Sequence, residues 1–343
     1  MPCSASEVAL SATQSHYRCA MDAPPRWVGA QRSSACRWQP DGGLFPDSFG
    51  KSWAVPSVVT RQQDRWAADL PMDIDDIKGT WLFAELFYAH FGHVLTDMPA
   101  RLWPFEAGLV DPGQIDGILG QGLLGTGPTG ARFPSYARQV LNGIGIADDQ
   151  IRFADRPVRI ERLIVPRRIA PYGALWNPVF SRMMRQAGGR IAADARPGDT
   201  PARLWLSRSR LTDDSRGGPG LAALDGLMER HGFTVIHPQE LPFADQVALA
   251  RGATHMAGPV GSQLHLCAFC TRPGAKVLTI APEYFKLDIN GQMLRDIGGD
   301  ETHFLIPGQQ NAGRRHKATW HCDSALEDGF AALVSDWAAT SPV

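Results

Sequence analysis

Residues 257–265 read AGPVGSQLH: an apolar run closes on two glycines and passes straight into a stretch with helical character. Working outward, the neighbouring segments alternate between two periods. RLWLS (203–207), FTVI (233–236), THMA (254–257) and KVLTI (276–280) are short apolar runs of strand length. Between them, 221–231 (LAALDGLMERH), 243–251 (FADQVALAR) and 262–270 (SQLHLCAFC) repeat their apolar residues at helical spacing, with Gly232 as the stop signal of the first. Short strands and helices joined by short connections specify a parallel sheet wound on both faces. Such sheets bind ligands outside the carboxyl ends of their strands.

The rest of the chain is less regular. The first 50 residues, rich in Ser, Pro, Gly and Trp, read as an irregular arm with at most a short edge strand. Residues 79–91 are dense in aromatic and aliphatic side chains, 90–103 follow a helical rhythm, 109–129 are glycine-rich and loop-like, and 159–165 alternate like a strand. Periodicity is lost over 188–201 (GGRIAADARPGDTP), the best place for a boundary. The organisation expected is an arm over 1–50, one lobe over 51–195 and a second, regular lobe over 196–343.

Composition narrows the classes of function. Apolar residues make up 44% of the 343 and charged residues 20%, with a formal net charge of −1. That mixture supports a folded core and gives no global attraction to nucleic acid or an anionic membrane. No window approaches 18 consecutive apolar residues, and the first residues lack a basic start followed by an apolar run. The expectation is a soluble, cytoplasmic protein without a transmembrane segment, for which peripheral membrane association stays open. Of six cysteines, Cys267 and Cys270 form a single CxxC with no second ligand pair, and read as buried thiols.

The glycine turn carries the sharpest chemical signal. Glycine lets backbone approach a ligand, and the first amides of a helix favour an anion, so Gly258, Gly261, Ser262 and Gln263 suit a pyrophosphate. The spacing is not GxGxxG and no acidic residue follows at the dinucleotide distance, which argues against a Rossmann-type dehydrogenase. Arg208 and Arg210 close the strand at 203–207, and Arg216 lies in the next loop; guanidinium forks there would face the same crevice as the turn. The Asp-x-Asp within DIDD (73–76) has the form of a metal–diphosphate motif but precedes KGTW, and reads as a solvated acidic turn. Trp103, Trp176 and Trp205 read as core, and PRR (166–168) and RMMR (182–185) receive no role.

Four blocks together resemble glycosyltransferase family 61: HFGHVLTDMPARLW (90–103), RLWLSRSR (203–210), GFTVIHPQELPFADQVALARGA (232–253) and MAGPVGSQLHLCAF (256–269). The resemblance spans roughly residues 79–105 and 203–282. It departs from the family pattern at Val260, where His is common, in DSRGGPG after Arg210, and at Thr279, where an acidic residue is common. The resemblance implies a GT-B architecture of two Rossmann-like lobes, with an N-terminal acceptor-side lobe and a C-terminal lobe binding the nucleotide-sugar. It also implies an inverting, metal-independent transfer from a nucleotide-sugar donor, a UDP-sugar as the family-level expectation, to a glycan acceptor, with no cofactor, in surface polysaccharide synthesis or related work.

An inverting transfer needs a base for the acceptor hydroxyl and a cationic environment for the departing diphosphate. Arg208 and the helix start at 261–263 are the candidates for the second task, assisted by Arg210 and Arg216, with His265 lining the donor pocket. His93 is the candidate base: Asp97, four residues on, shares its helical face and can orient the imidazole, and Arg101 continues that face. His90 is an alternative base. The rival readings are a nucleotide-sugar-binding protein without catalysis and, less favoured, the dehydrogenase.

Overall fold

The computed structural model describes residues 75–87, 89–122, 133–153, 158–166, 168–169, 177–196, 198–211, 221–283, 288–306 and 324–339, together with the backbone of six strands between residues 7 and 67. Arg216, Trp176 and the DSRGGPG segment lie outside the described residues. The chain divides into two compact units, Met1–Met183 and Met184–Val343.

The first unit begins with strands β1 (Glu7–Val8), β2 (Tyr17–Ala20), β3 (Arg26–Gln31), β4 (Ser34–Trp38), β5 (Thr60–Gln62) and β6 (Arg65–Ala67). The long strand β7 (Asp75–Phe87) leads into helix α1 (Phe91–Thr96), a 3-10 turn at Met98–Arg101 and helix α2 (Trp103–Glu106). Strand β8 (Gly117–Gly122), helix α3 (Ser135–Ile144) and strands β9 (Ile151–Phe153) and β10 (Val158–Pro166) follow. Strands β10, β7, β8 and β9 lie side by side in that order, all parallel. Sequence neighbours β7, β8 and β9 run one way from β7, while β10 returns to its other side. The strand order therefore reverses between β7 and β10, which makes a topological switch point there. Ile77, Trp81, Phe83, Leu119, Val158, Ile160, Leu163 and Val165 form one buried cluster on this sheet.

Three readings of this half need correction. The arm is not irregular: β3 and β4 form an antiparallel hairpin, and β2 and β3 both pair antiparallel with β10. The solvated acidic turn expected at DIDD is not seen at Asp75 and Asp76, which with the following KGTW stretch lie inside β7. There the register against β10 slips between Ile160 and Arg162, and Gly79, at φ 89°, donates its N–H to Glu161 Oε2 at 2.8 Å. A glycine bulge in a strand carries the same local signal as a turn, since both need a positive φ. The glycine-rich loop contains β8, whose Gly120 leaves room for the Phe87 ring; a Cβ there would meet it at 2.6 Å.

Helix α4 (Pro178–Ala192) carries the chain into the second unit and includes Gly188, against which Phe269 packs. The second unit then runs β11 (Arg203–Leu206), α5 (Leu221–Arg230), β12 (Thr234–Ile236), α6 (Phe243–Gly252), β13 (His255–Pro259), a 3-10 helix at Ser262–Phe269, β14 (Lys276–Pro282), α7 (Ile289–Leu294), β15 (Asp300–Ile306) and α8 (Ser324–Ala339). The five strands are parallel, as the alternation of periods requires, and lie in the order β12-β11-β13-β14-β15. Helices α5 and α8 cover one face, where Trp205, Leu224, Leu278, Phe330 and Val334 are buried. Each such side chain contributes roughly 1.5–3 kcal/mol of burial. Helix α7 meets the other face through β15. The fold is thus mixed α/β with parallel, Rossmann-like sheets, and the segment after the glycine turn is a 3-10 helix rather than an α-helix.

Candidate active site

In the first unit the chain leaves the carboxyl end of β7 and enters α1, placing His93 and Asp97 one turn apart. Asp97 caps that helix, and its N–H donates to His93 O at 2.9 Å, which keeps the two side chains on one face. His93 Nδ1 donates to Asp97 Oδ2 at 2.6 Å. The other carboxylate oxygen takes Arg168 Nη2. Arg168 lies just past the end of β10, so the triad spans the switch point between β7 and β10. Its polarity is graded: the Asp97 side chain is 9% exposed and that of His93 43%. Burial raises the pKa of Asp97, but the His93 hydrogen bond, the Arg168 charge and Thr96 outweigh it and hold the carboxyl below its ordinary value. With Nδ1–H given to a carboxylate, Nε2 is the basic nitrogen of a neutral His93.

The sequence offered Arg101 as the cation on this face. Arg101 is buried, donates Nη1 to Pro166 O at 2.5 Å and lies over the Phe83 ring; the cation on Asp97 is Arg168. The PRR run was visible in the sequence, but its meeting with Asp97 depends on β10 lying beside β7. His90, the alternative base, sits with its ring 5.1 Å from that of His93.

In the second unit the connection from β11 runs to β12 on one side and that from β13 to β14 on the other, so a second switch point falls between β11 and β13. Arg208 and the glycine turn stand on its two sides. Arg208, 7% exposed, donates Nη1 to Val260 O at 3.0 Å. Gly261 is extended (φ 166°, ψ 171°), so its backbone is one any residue adopts; a Cβ there would displace the tips of the Arg208 and Gln263 side chains, Nη1 and Oε1. Gln263 folds back, its Nε2 donating to Pro259 O at 2.6 Å. Gly258 is set by close packing, since a Cβ would come within 2.8 Å of Leu206 O. The first turn of the helix at Ser262–Phe269 offers amides with no carbonyl one turn earlier, the general basis of anion binding at helix starts.

Two further features are not legible in the motif. Asp225 of α5 accepts from Trp205 Nε1 on one oxygen and from Ser209 Oγ on the other, both at 2.6 Å, and Ser209 N donates to Ser207 Oγ at 3.1 Å. These bonds fix the loop from which Arg208 departs. Thr279, at the departure from the family pattern, donates to Glu301 Oε1 at 2.6 Å, so the neighbouring strand brings an acidic group to this position. His265 Nδ1 lies 2.9 Å from Asn290 Oδ1. Arg210 is turned to Glu240 in an exposed ion pair of 2.8 Å.

Asp75 and Asp76 open β7, at the strand end opposite α1, and the remaining acid of DIDD, Asp73, lies outside the described residues. Among the described residues no three His, Cys, Asp or Glu side chains gather as metal ligands. Cys267 and Cys270 are buried thiols; burial is the main cause that pushes Cys270 up to about 12 and raises Cys267 as well. No helix among the described residues is long and apolar enough to cross a membrane.

Fold and sites together define an α/β protein with Rossmann-like parallel sheets, its polar and charged side chains gathered at the carboxyl edges where strand order reverses. The Glycosyltransferase 61 family model matches residues 91–278, more than half of the chain and from α1 through to β14. The chain belongs to glycosyltransferase family 61, and a sugar donor and an acceptor are the substrates that membership implies. No curated protein shows significant similarity to it.

Proposed function

We propose that the protein is an inverting, metal-independent glycosyltransferase of GT-B type that uses a nucleotide-sugar, with a UDP-sugar the first to test. The observation that carries this reading is the 2.6 Å bond between His93 Nδ1 and Asp97 Oδ2 at the carboxyl end of β7. His93 Nε2 takes the proton of an acceptor hydroxyl as its oxygen attacks the anomeric carbon. The bond from that carbon to the diphosphate breaks on the opposite face, inverting the anomeric centre. Asp97, held by Arg168, balances the imidazolium that forms.

Arg208 and the amides at 261–263 receive the charge that develops on the leaving diphosphate. Fixed donors aimed at developing charge lower a barrier without reorganising at the moment of reaction. Ser262 and His265 belong to the same donor site, and Arg210 and Arg216 are the assisting cations of this reading. A growing surface glycan is the acceptor class in this reading, and the cytoplasm its compartment.

The test is incubation with a panel of nucleotide-sugars and glycan acceptors, with and without a chelator. Release of nucleoside diphosphate coupled to product of inverted anomeric configuration, unaffected by the chelator, is the expected result. Loss of activity on chelation, or retention of configuration, overturns it. The departure at Val260 favours one second reading, a binding protein without catalysis; donor binding with neither transfer nor hydrolysis would establish that instead.

A further inference from the structure

Glu301 is the most completely engaged carboxylate beside the donor-side helix, and it touches nothing that the proposed reaction uses. Its side chain is 1% exposed. Oε1 accepts from Thr279 Oγ1 at 2.6 Å and from Asn290 Nδ2 at 2.7 Å, while Oε2 accepts from the N–H of Asn290 at 3.1 Å and of Gly291 at 3.2 Å. His303 Nε2 stands 3.7 Å from Oε1. Four N–H and O–H donors converge on the two oxygens, two of them amides in the first turn of α7.

This arrangement dictates the orientation of the Asn290 amide. A carboxylate oxygen accepts, so only the NH2 end of the amide can face it, and the carbonyl oxygen Oδ1 must face the other way. There it meets His265 Nδ1 at 2.9 Å, and Cys267 Sγ lies 3.7 Å from the same oxygen. A carbonyl oxygen cannot donate, so Nδ1 carries the proton. The thiol, kept protonated by burial, is a second donor to Oδ1 and would repel a flipped amide.

We propose that Glu301 and Asn290 are positioning residues that lock His265 in its Nδ1–H tautomer, making Nε2 the accepting nitrogen of the neutral ring. On a 3-10 helix three residues make one turn, so Ser262 and His265 share a face. They are the partly exposed residues of Ser262–Phe269, the others being buried. Whatever group meets Nε2 must bring a hydrogen. A ribose hydroxyl fits; an ionised phosphate oxygen does not. The assignment to a hydroxyl rests on the donor-site reading above, whereas the lock itself does not.

The experiment is nitrogen-15 NMR of histidine-labelled full-length protein without ligand, at a pH where His265 is neutral, with assignment by His265→Gln. The expected spectrum shows His265 as the Nδ1–H tautomer alone. In Asn290→Ala, which leaves Glu301 on Thr279 and both backbone amides, the ring becomes a mixture of tautomers. An Nε2–H ring or a mixture in the unmutated protein overturns the lock, as does an unchanged tautomer in Asn290→Ala. Calorimetry separates the hydroxyl assignment: His265→Ala weakens UDP by about five- to tenfold, the scale of one hydrogen bond. The 2′-deoxy and 3′-deoxy analogues then show which hydroxyl is concerned, since the one that meets Nε2 loses affinity only in the unmutated protein. Undiminished UDP affinity in His265→Ala removes the donor-site reading of this residue while the lock is judged on the spectra.

Discussion

Arg208 Nη1 donates to the carbonyl of Val260 at 3.0 Å, so the loop after β11 is tied to the turn after β13. The tie crosses the place where connections diverge to opposite sides of the sheet. It holds a cation against Gly261, where any side chain would displace it.

Arg208→Ala removes a charged donor from the proposed diphosphate site, a loss of roughly 1.5–3 kcal/mol for a bond to a charged group. Nucleotide affinity measured by calorimetry should fall about ten- to hundredfold. Unchanged Kd for free UDP would refute the assignment.

His93→Ala removes the proposed base, which belongs to the first unit, whereas Arg208 and the glycine turn belong to the second. Turnover should drop by about 10²–10⁴-fold, the usual contribution of a positioned base. Nucleotide Kd should hold within about twofold of the unmutated protein, since one such factor is under 0.5 kcal/mol. Equal losses in turnover and donor affinity would take His93 out of that role.

Asp97 ties pH to stability. Its folded pKa lies below the ordinary 3.8, so its contribution is complete above that value and is lost as pH falls through the lower folded value. Thermal melts of the unmutated protein and Asp97→Asn should differ most at neutral pH and converge in acid. A gap that stays constant down to the most acid melts would contradict the ion pair with Arg168.

Asp225→Ala unties Trp205 and Ser209 together. Two bonds to a charged acceptor are lost, and the buried indole N–H is left without its acceptor, so destabilisation of about 2–4 kcal/mol is expected from denaturant melts. Nucleotide affinity should fall as well, because the loop bearing Arg208 loses its anchor. A Kd identical to that of the unmutated protein would show that the loop holds its shape alone.

Cys270, pushed up to about 12, is thiolate in only about one part in ten thousand at pH 8. Alkylation followed by peptide mass spectrometry should leave Cys267 and Cys270 unmodified in the native protein and label both once it is unfolded. Rapid native labelling would show that the CxxC is open to solvent.

Four strands of the regular half were legible because each is a short apolar run bounded by helical periodicity, as in RLWL before Arg208 and KVLTI before Ala281, whereas DETHFLI of β15 carries no such signal. The parallel direction of the strands followed from that alternation; their order in the sheet did not. What was not legible depended on pairing at a distance. Gly79 signals a positive φ whether the chain reverses or merely bulges, and Gly120 makes room for Phe87, which no local pattern reveals. Likewise, His93 and Asp97 announced themselves by a spacing of four, but Arg168 reaches them only because β10 lies beside β7. Glu301 lies two strands away from Gly261 in the sheet, beyond any motif window.

The antiparallel strands laid along the outer flank of β10 have one more consequence. A parallel sheet that stopped at β10 would present a row of unpaired amides and carbonyls, a template onto which another molecule can zip. By occupying Val158–Ile160 and Val165–Pro166, β3 and β2 deny that template to other copies. Removing residues 1–40 should therefore show itself as self-association and poor solubility before any loss of chemistry.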